Sequence, residues 1–262
     1  MDAALAQPIH FNRLLPYWAV LQTDLRATLR SWVYRLWLLM MLVAVGGYVL
    51  FKLGMAKAGE FQPASVQTDD LLRALAIGSL SLISLIAVSS ISSERGTIAD
   101  SVLSRGISRY QYFLAKWHSR LLVVVATFMS VGCLVLVSYM FLFNESVTGG
   151  GANLTFRGGF VAILLLSAAL AVVVSWGVSI GSLSSGTVLG ITLFWIVIFG
   201  GLLLSSQMPA GYPNPQRTFD GLRHVLRGEF VTDAVSEFLL ACAGLSIGGA
   251  MVGLIGFARR DV

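Results

Sequence analysis

Six long apolar runs constrain this 262-residue chain more than any other feature. A helix of roughly 20 apolar residues crosses the bilayer core, which is about 30 Å thick. Because a spanning segment must satisfy its backbone hydrogen bonds internally, each run is expected to be a helix. The sequence therefore predicts an all-α membrane protein in which residues 1–262 form a single transmembrane domain. The predicted spans are 32–52, 73–93, 121–143, 159–181, 187–205 and 236–257.

The connections and the charges predict how these spans are arranged. A short link at residues 182–186 joins the fourth and fifth spans as a tight helical hairpin. The even number of spans places both termini on one side, which collects eleven Arg and Lys residues against seven on the other. The positive-inside rule then predicts cytoplasmic termini in a multi-pass protein of the inner (plasma) membrane. The basic residues never form a dense block, which argues against a nucleic-acid partner.

Residues 11–30 are predicted to form a helix of their own before the first span. Apolar side chains recur there at spacings near three and four, and the polar side chains face elsewhere. This pattern favours an interfacial helix on the cytoplasmic leaflet, with an ordinary juxtamembrane helix as the alternative. The apolar positions are Leu14, Leu15, Trp18, Leu21, Leu25 and Leu29, and the polar positions are Gln22, Asp24, Arg26 and Arg30.

On the opposite side of the membrane, residues 62–70 and 148–153 are predicted to be loops. The longest loop covers 208–230, where three prolines prevent a continuous helix. Apolar residues then return at helical spacing and predict a short amphipathic helix against the outer leaflet. This helix would be either a half-buried interfacial helix or a lid over a substrate path. Its apolar residues are Phe219, Leu222, Val225 and Leu226.

The sequence carries no constellation suited to catalysis or to metal binding. The cores of the six predicted spans contain no Asp, Glu, Lys, Arg or His, the residues that usually mark proton relays and ion paths. His10, His118 and His224 are far apart in sequence, and the serines of the spans have no base beside them. A phosphate-binding loop is excluded because the chain has no Gly-Lys pair. We therefore expect a non-catalytic chain without metal or cofactor, driven, if by a nucleotide, through another chain.

Glycines four residues apart predict places where helices approach each other closely. Four such pairs lie in the last three spans and the short link between the fourth and fifth, and they favour tight packing within a bundle or between two copies. The pairs are Gly177 with Gly181, Gly186 with Gly190, Gly244 with Gly248, and Gly249 with Gly253.

Residues 92–120 form a polar interruption between the second and third spans. A loose capping box starts at Thr97 and a regular one at Ser108, and Gly106 supplies a helix stop between them. The expected structure is a short helix over 97–104, a break, and a second helix that runs into the third span. One interpretation is a coupling helix that docks in a groove of a soluble partner. The other is a solvated loop whose basic edge sets the topology.

This stretch resembles the permease subunits of ABC-2 type ATP-binding-cassette transporters. Such permeases commonly have a cytoplasmic Glu-Arg pair followed by Gly-Thr, then a Ser-Arg and an aromatic-rich helix leading into the third span. The similar residues are Glu94-Arg95-Gly96-Thr97, Ser108-Arg109-Tyr110, Leu114-Ala115-Lys116 and the C-terminal Phe257-Ala258-Arg259-Arg260-Asp261. The six spans, the N-terminal helix and the long loop between the fifth and sixth spans match as well.

The resemblance implies a non-catalytic permease subunit of an exporter. Two copies, or this chain and a similar one, would form the pore, and each would bind a separate ATPase subunit that carries ATP and Mg²⁺. ATP binding would close the ATPase dimer, and the coupling segment, residues 94–109, would transmit that closure to the spans. Arg95, Arg105 and Arg109 are the implied ion-pair residues, and Ile98 and Leu103 the implied groove residues. The whole implied contact is Glu94, Arg95, Gly96, Thr97, Ile98, Val102, Leu103, Arg105, Gly106, Ser108 and Arg109.

A second interpretation is a mechanotransmitting membrane scaffold. Such a subunit would carry ATPase motion through the same coupling segment to a periplasmic partner, bound at residues 205–235, without moving a solute. The absence of charges in the cores of the spans agrees with both the permease and the scaffold, because an ATPase outside the bilayer would drive either one.

Overall fold

The computed structural model describes residues 14–60, 62–93, 107–143, 154–207, 209 and 214–259. Within these ranges the chain is all-α, with nine helices and no strand. The helices are α1 (Leu15–Arg30), α2 (Trp32–Lys57), α3 (Ala64–Ser92), α4 (Arg109–Leu142), α5 (Phe156–Leu183), α6 (Thr187–Ser206), α7 (Pro215–Asp220), α8 (Leu222–Leu226) and α9 (Thr232–Arg259). Six of them, α2 to α6 and α9, are long and apolar enough to cross a membrane. The predicted fold class, with six such helices after an N-terminal helix, is confirmed.

Some of the spanning helices are longer than their apolar runs. Helix α4 has 34 residues, which at about 1.5 Å per residue is roughly 51 Å. The hydrocarbon core requires only about 30 Å of helix. Since the apolar part of α4 begins at Leu121, the stretch from Arg109 to Arg120 continues the same helix beyond the hydrocarbon.

The predicted outer loop at residues 62–70 is wrong, because α3 begins at Ala64. Pro63 precedes the helix in an extended conformation, with φ −57° and ψ 138°, and so fixes the direction in which the chain enters it. The polar residues of the first turns are not solvated, since Thr68 and Asp69 are fully buried. Hydropathy assigned this stretch to a loop because it does not register burial against other helices. The second predicted loop, residues 148–153, lies outside the described residues.

Helix α5 lies at the centre of the bundle. It packs along α3, α4 and α9 and also contacts α6 and α8. Most of the buried apolar side chains form one continuous cluster around it. Helices α2 and α6 lie at the periphery, and of α6 only Gly190 and Phe194 are buried. The predicted hairpin between the fourth and fifth spans is confirmed, because only residues 184–186 separate α5 from α6.

Five of the eight glycines singled out in the sequence lie at close helix contacts within this chain. A Cβ placed on Gly177 would lie 2.7 Å from the Ala87 Cβ, and one on Gly253 would lie 2.5 Å from the Ser179 Oγ. The other close glycines are Gly181 beside Val88, Gly190 beside Val88 and Ser184, and Gly249 beside Trp176. Gly186, Gly244 and Gly248 have no described atom within 4 Å of such a Cβ, so they mark no contact inside the single chain.

Candidate functional site

Most of the predicted coupling segment lies outside the described residues. This applies to Glu94, Arg95, Gly96, Thr97, Ile98, Val102, Leu103, Arg105 and Gly106, and with them to the short helix expected over 97–104. Its last two residues, Ser108 and Arg109, are described. The described part of the candidate site is therefore the region that directly follows the segment, namely the first turns of α4.

The start of α4 is fixed by the capping box that the sequence predicts at Ser108. The Ser108 Oγ accepts a hydrogen bond from the Gln111 backbone N–H at 3.2 Å. The Gln111 Oε1 in turn accepts one from the Ser108 backbone N–H at 3.3 Å. These reciprocal bonds satisfy two backbone donors that would otherwise be unpaired at a helix start. Helix α4 therefore begins directly where the coupling segment ends, and this part of the prediction is confirmed.

The C-terminal end of α9 is held against the same turns of α4. The Arg109 guanidinium donates a hydrogen bond to the Ala258 carbonyl oxygen at 3.3 Å. A cation suits this position because the last carbonyls of a helix carry partial negative charge. The Phe257 ring stacks on Tyr112, with centroids 6.0 Å apart, and also contacts Phe113. The C-terminal end of α9 therefore lies beside the start of α4, on the side of the bundle that we call the terminus side.

A buried ion cluster attaches α1 to α4 on the terminus side. The Asp24 carboxylate accepts a hydrogen bond from the Lys116 Nζ at 2.6 Å and one from the Arg120 guanidinium at 3.2 Å. Arg120 also donates to the Thr28 hydroxyl, one helical turn beyond Asp24. All three charged side chains are nearly excluded from solvent, with exposed fractions of 3, 5 and 11% for Asp24, Lys116 and Arg120. Charges buried in this way depend on each other, because removing one takes a counter-charge away from the others.

A second polar contact between α1 and α4 lies about two turns before Asp24 on α1. The Tyr17 hydroxyl is 3.0 Å from the His118 Nδ1, and the two rings meet edge to face. Burial raises the pKa of the Tyr17 phenol. Helix α1 is thus attached to the extension of α4 at several points along its length.

The orientation of α1 differs in part from the sequence prediction. Asp24, assigned there to the side away from the apolar stripe, is buried against α4, together with Leu21 and Thr28. Four other apolar residues of the predicted stripe remain exposed, namely Leu14, Leu15, Trp18 and Leu29. Because the part of α4 that α1 contacts lies beyond the apolar span, these side chains are at the level where an interfacial helix meets the bilayer.

Sequence reasoning missed the partnership of Asp24 with Lys116 and Arg120. A signal was present: the two cations stand four residues apart on α4, and Asp24 is followed four residues later by Thr28. This spacing places each pair on one helix face. The pairing could not be fixed, since nothing in the sequence states which helix lies beside α1.

A second ion cluster closes the opposite side of the bundle. The fully buried Asp69 carboxylate accepts hydrogen bonds from Arg73 at 2.6 Å and from Arg223 at 2.7 Å. The hydrogen bond that Arg223 donates to Asp69, and then the negative charge of Asp69, raise the pKa of the Arg223 guanidinium. Arg73 also donates to the Phe219 carbonyl oxygen. These contacts attach α7 and α8 to the first turns of α3.

The short helix predicted in the long outer loop exists as α7 and α8, but it does not face the leaflet as expected. Leu222, Val225 and Leu226 are buried in the bundle, where α8 packs on α5 and α3. The Leu226 carbonyl oxygen accepts a hydrogen bond from the Thr155 backbone N–H at 3.0 Å. A cleft of ≈ 390 Å³ lies between these short helices, α5 and α9, and its polar residues are Asn214, Arg217, Thr218, His224, Glu229 and Glu237.

The fold and these two clusters define a multi-pass helical membrane protein whose two sides are each held together by a buried carboxylate. No protein-family model matches the chain, and no curated protein is significantly similar to it.

Proposed function

We propose that this chain is the membrane-spanning permease subunit of an ABC-2 type transporter, which exports its substrate with ATP hydrolysed on a separate subunit. The observation that carries the proposal is the continuity of α4. It begins at the residue where the coupling segment ends and runs without interruption to Leu142. A rigid helix of this length transmits a displacement at one end to the other.

The contacts of α4 support a transmission role rather than that of a simple span. Within its first three turns it holds α1 through Asp24 and the C-terminal end of α9 through Arg109. Further along it packs against the central helix α5. A displacement of the segment before Ser108 would therefore act on α1, α4, α5 and α9 together, as rigid-body switching of a bundle requires.

The remaining parts of the proposal follow from the resemblance to ABC-2 type permeases. The chain has no catalytic role of its own. Its partner ATPase docks on residues 94–109 of this chain, and that ATPase binds ATP and Mg²⁺. A second copy, or a similar chain, completes the pore. The terminus side is cytoplasmic in the plasma (inner) membrane, in keeping with its excess of basic residues.

The proposal is tested by purifying the tagged chain from its native membrane in mild detergent and identifying the co-purifying proteins by mass spectrometry. We expect a soluble subunit with nucleotide-binding motifs. Combining Ile98→Asp with Arg105→Glu and Arg109→Glu should remove this subunit, because an apolar contact and two cations are lost from the implied interface. Arg217→Glu, an exposed charge reversal on the opposite side, should retain it. Absence of any ATPase from the wild-type preparation would refute the proposal.

The outer cleft supports a second candidate, the mechanotransmitting scaffold. Its mixed charges, with Arg217 and His224 near Glu229 and Glu237, suit a protein partner better than an apolar solute. Cross-linking from Gln216 in the purified complex distinguishes the two candidates. A stoichiometric periplasmic protein whose removal uncouples ATP hydrolysis favours the scaffold, whereas hydrolysis stimulated by a transported solute alone favours the permease.

A further inference from the structure

A groove opens between α1, α2 and α4, next to the ion cluster at Asp24. Its volume is ≈ 330 Å³, and it is lined mainly by apolar side chains. Leu25 and Leu29 of α1 form one wall, and Leu38 of α2 forms another. Its floor is the stretch of α4 from Leu122 to Val131. The groove therefore lies in the angle at which the chain turns from the N-terminal helix into the first spanning helix.

The position of the groove along α4 places it in the hydrocarbon layer of the terminus-side leaflet. It begins two residues after Arg120, where the apolar part of the helix starts, and follows α4 for about 13 Å, at about 1.5 Å per residue. Leu122, Ala126 and Ser130 are exposed along its length, so it is open to the side. Within a bilayer, the molecules that surround such an opening are lipid chains. A hydrocarbon chain is thus the occupant that the shape and surroundings favour.

The charge beside the groove specifies the headgroup. Arg26 and Arg30 are exposed on α1, and Arg35 is exposed on the first turns of α2. None of these three guanidinium groups forms an ion pair with a described residue. Asp24 is the only carboxylate among the described residues of the terminus side, and Lys116 and Arg120 already share it. Counted over the described residues, this corner of the molecule therefore has an unbalanced positive charge at the level of the lipid phosphates.

We propose that the groove holds one acyl chain of an anionic phospholipid from the terminus-side leaflet, whose phosphate is bound by Arg26, Arg30 and Arg35. The hydroxyls of Tyr34 and Thr127 lie 3.2 Å apart in the groove wall. Only one of them donates to the other, which leaves the second hydroxyl hydrogen for an ester carbonyl of the lipid. The bound lipid fills the space that α1 and α2 leave beside α4.

The headgroup preference is tested on the wild-type full-length chain. The purified protein is equilibrated in detergent with equal amounts of phosphatidylglycerol and phosphatidylcholine that carry the same acyl chains, and the retained lipid is counted by native mass spectrometry. We expect one phosphatidylglycerol per chain to remain at detergent concentrations that remove phosphatidylcholine. Equal retention of the two lipids, or retention of neither, would overturn the proposal without reference to any variant.

Two pairs of variants test the location of the lipid. Ala126→Phe fills the groove and should abolish retention, whereas Ala44→Phe, at an exposed alanine of α2 outside the groove, should not. Replacing Arg26, Arg30 and Arg35 by Gln should weaken phosphatidylglycerol binding about fivefold for each charge removed. The matched control replaces three exposed cations of the opposite side, Lys57, Arg157 and Arg217, by Gln. Retention in the Ala126→Phe variant equal to that in Ala44→Phe, or equal losses in the two triple variants, would contradict the proposed site.

Discussion

Asp24 is the residue on which the attachment of α1 depends most. One of its carboxylate oxygens serves both Lys116 and Arg120, and the other, Oδ2, has no hydrogen-bond partner among the described residues. Asp24→Asn removes the carboxylate that Lys116 and Arg120 share, and so takes a buried counter-charge away from both cations. Breaking a buried pair from one side costs about 3–5 kcal/mol. We expect a loss of that size in the free energy of unfolding of the purified chain, measured by denaturant titration in mixed micelles.

The matched control for this prediction is Gln22→Ala, two residues away on the exposed face of the same helix. A surface change of this kind should alter the free energy of unfolding by no more than about 0.5 kcal/mol. Adding Lys116→Met to Asp24→Asn should restore part of the loss, because a buried cation that has lost the Asp24 carboxylate is removed together with its desolvation cost. Equal stability of the Asp24→Asn and Gln22→Ala variants would show that the ion cluster contributes nothing to the attachment of α1.

At the scale of helices, a second prediction follows from the close approach of α9 to α5. Gly253 faces Ser179 so closely that a Cβ would lie 2.5 Å from its Oγ and 2.7 Å from its Cα. Gly253→Ala should therefore lower the free energy of unfolding by about 1–3 kcal/mol through overpacking. Gly248→Ala, on the same helix with open space around it, should be neutral or slightly stabilising. The same denaturant titration measures both, and a neutral Gly253→Ala would contradict this packing of α5 against α9.

The same scale shows how far the sequence predicts this fold. The six spanning helices follow from their apolar runs, because the bilayer imposes length and hydrophobicity on each one independently of its neighbours. The start of α3 and the burial of α8 inside the bundle could not be predicted in this way. Asp69 is polar but buried, and Leu222 is apolar but faces protein rather than lipid. In each case the environment is set by a neighbouring helix that is distant in sequence.

The candidate site was predictable to a different degree. The capping box at Ser108 is local, so four consecutive residues were enough to place the start of α4. The contacts of α4 with α1 and α9 join residues that are distant in sequence. Asp24 and Lys116 are 92 residues apart, and Arg109 and Ala258 are 149 apart. Charge and spacing name the candidates for such contacts, but only the packing of the bundle selects among them.

At the scale of the whole molecule, the two ion clusters lie at opposite ends of the bundle and constrain different helices. The Asp24 cluster attaches α1 to the extension of α4, and the Asp69 cluster attaches α7 and α8 to α3. The central helix α5 contacts both α4 and α8. A continuous route of packed helices therefore connects the terminus side with the outer cleft. This route is what the proposed permease and the alternative scaffold would each require.

The orientation of the molecule is the last prediction, and the distribution of charge decides it. Eleven Arg and Lys residues on the terminus side against seven on the other predict that α1 faces the cytoplasm and α7 faces outwards. In a background in which Cys133 and Cys242 are replaced by Ala, a thiol is introduced at Gln22 or at Gln216, both exposed. A membrane-impermeant maleimide added to intact cells should label Gln216→Cys alone, and after permeabilisation it should label both variants. Labelling of Gln22→Cys alone in intact cells would show that the orientation is the reverse of the predicted one. The coupling segment would then lie on the side of the membrane where no ATPase could reach it.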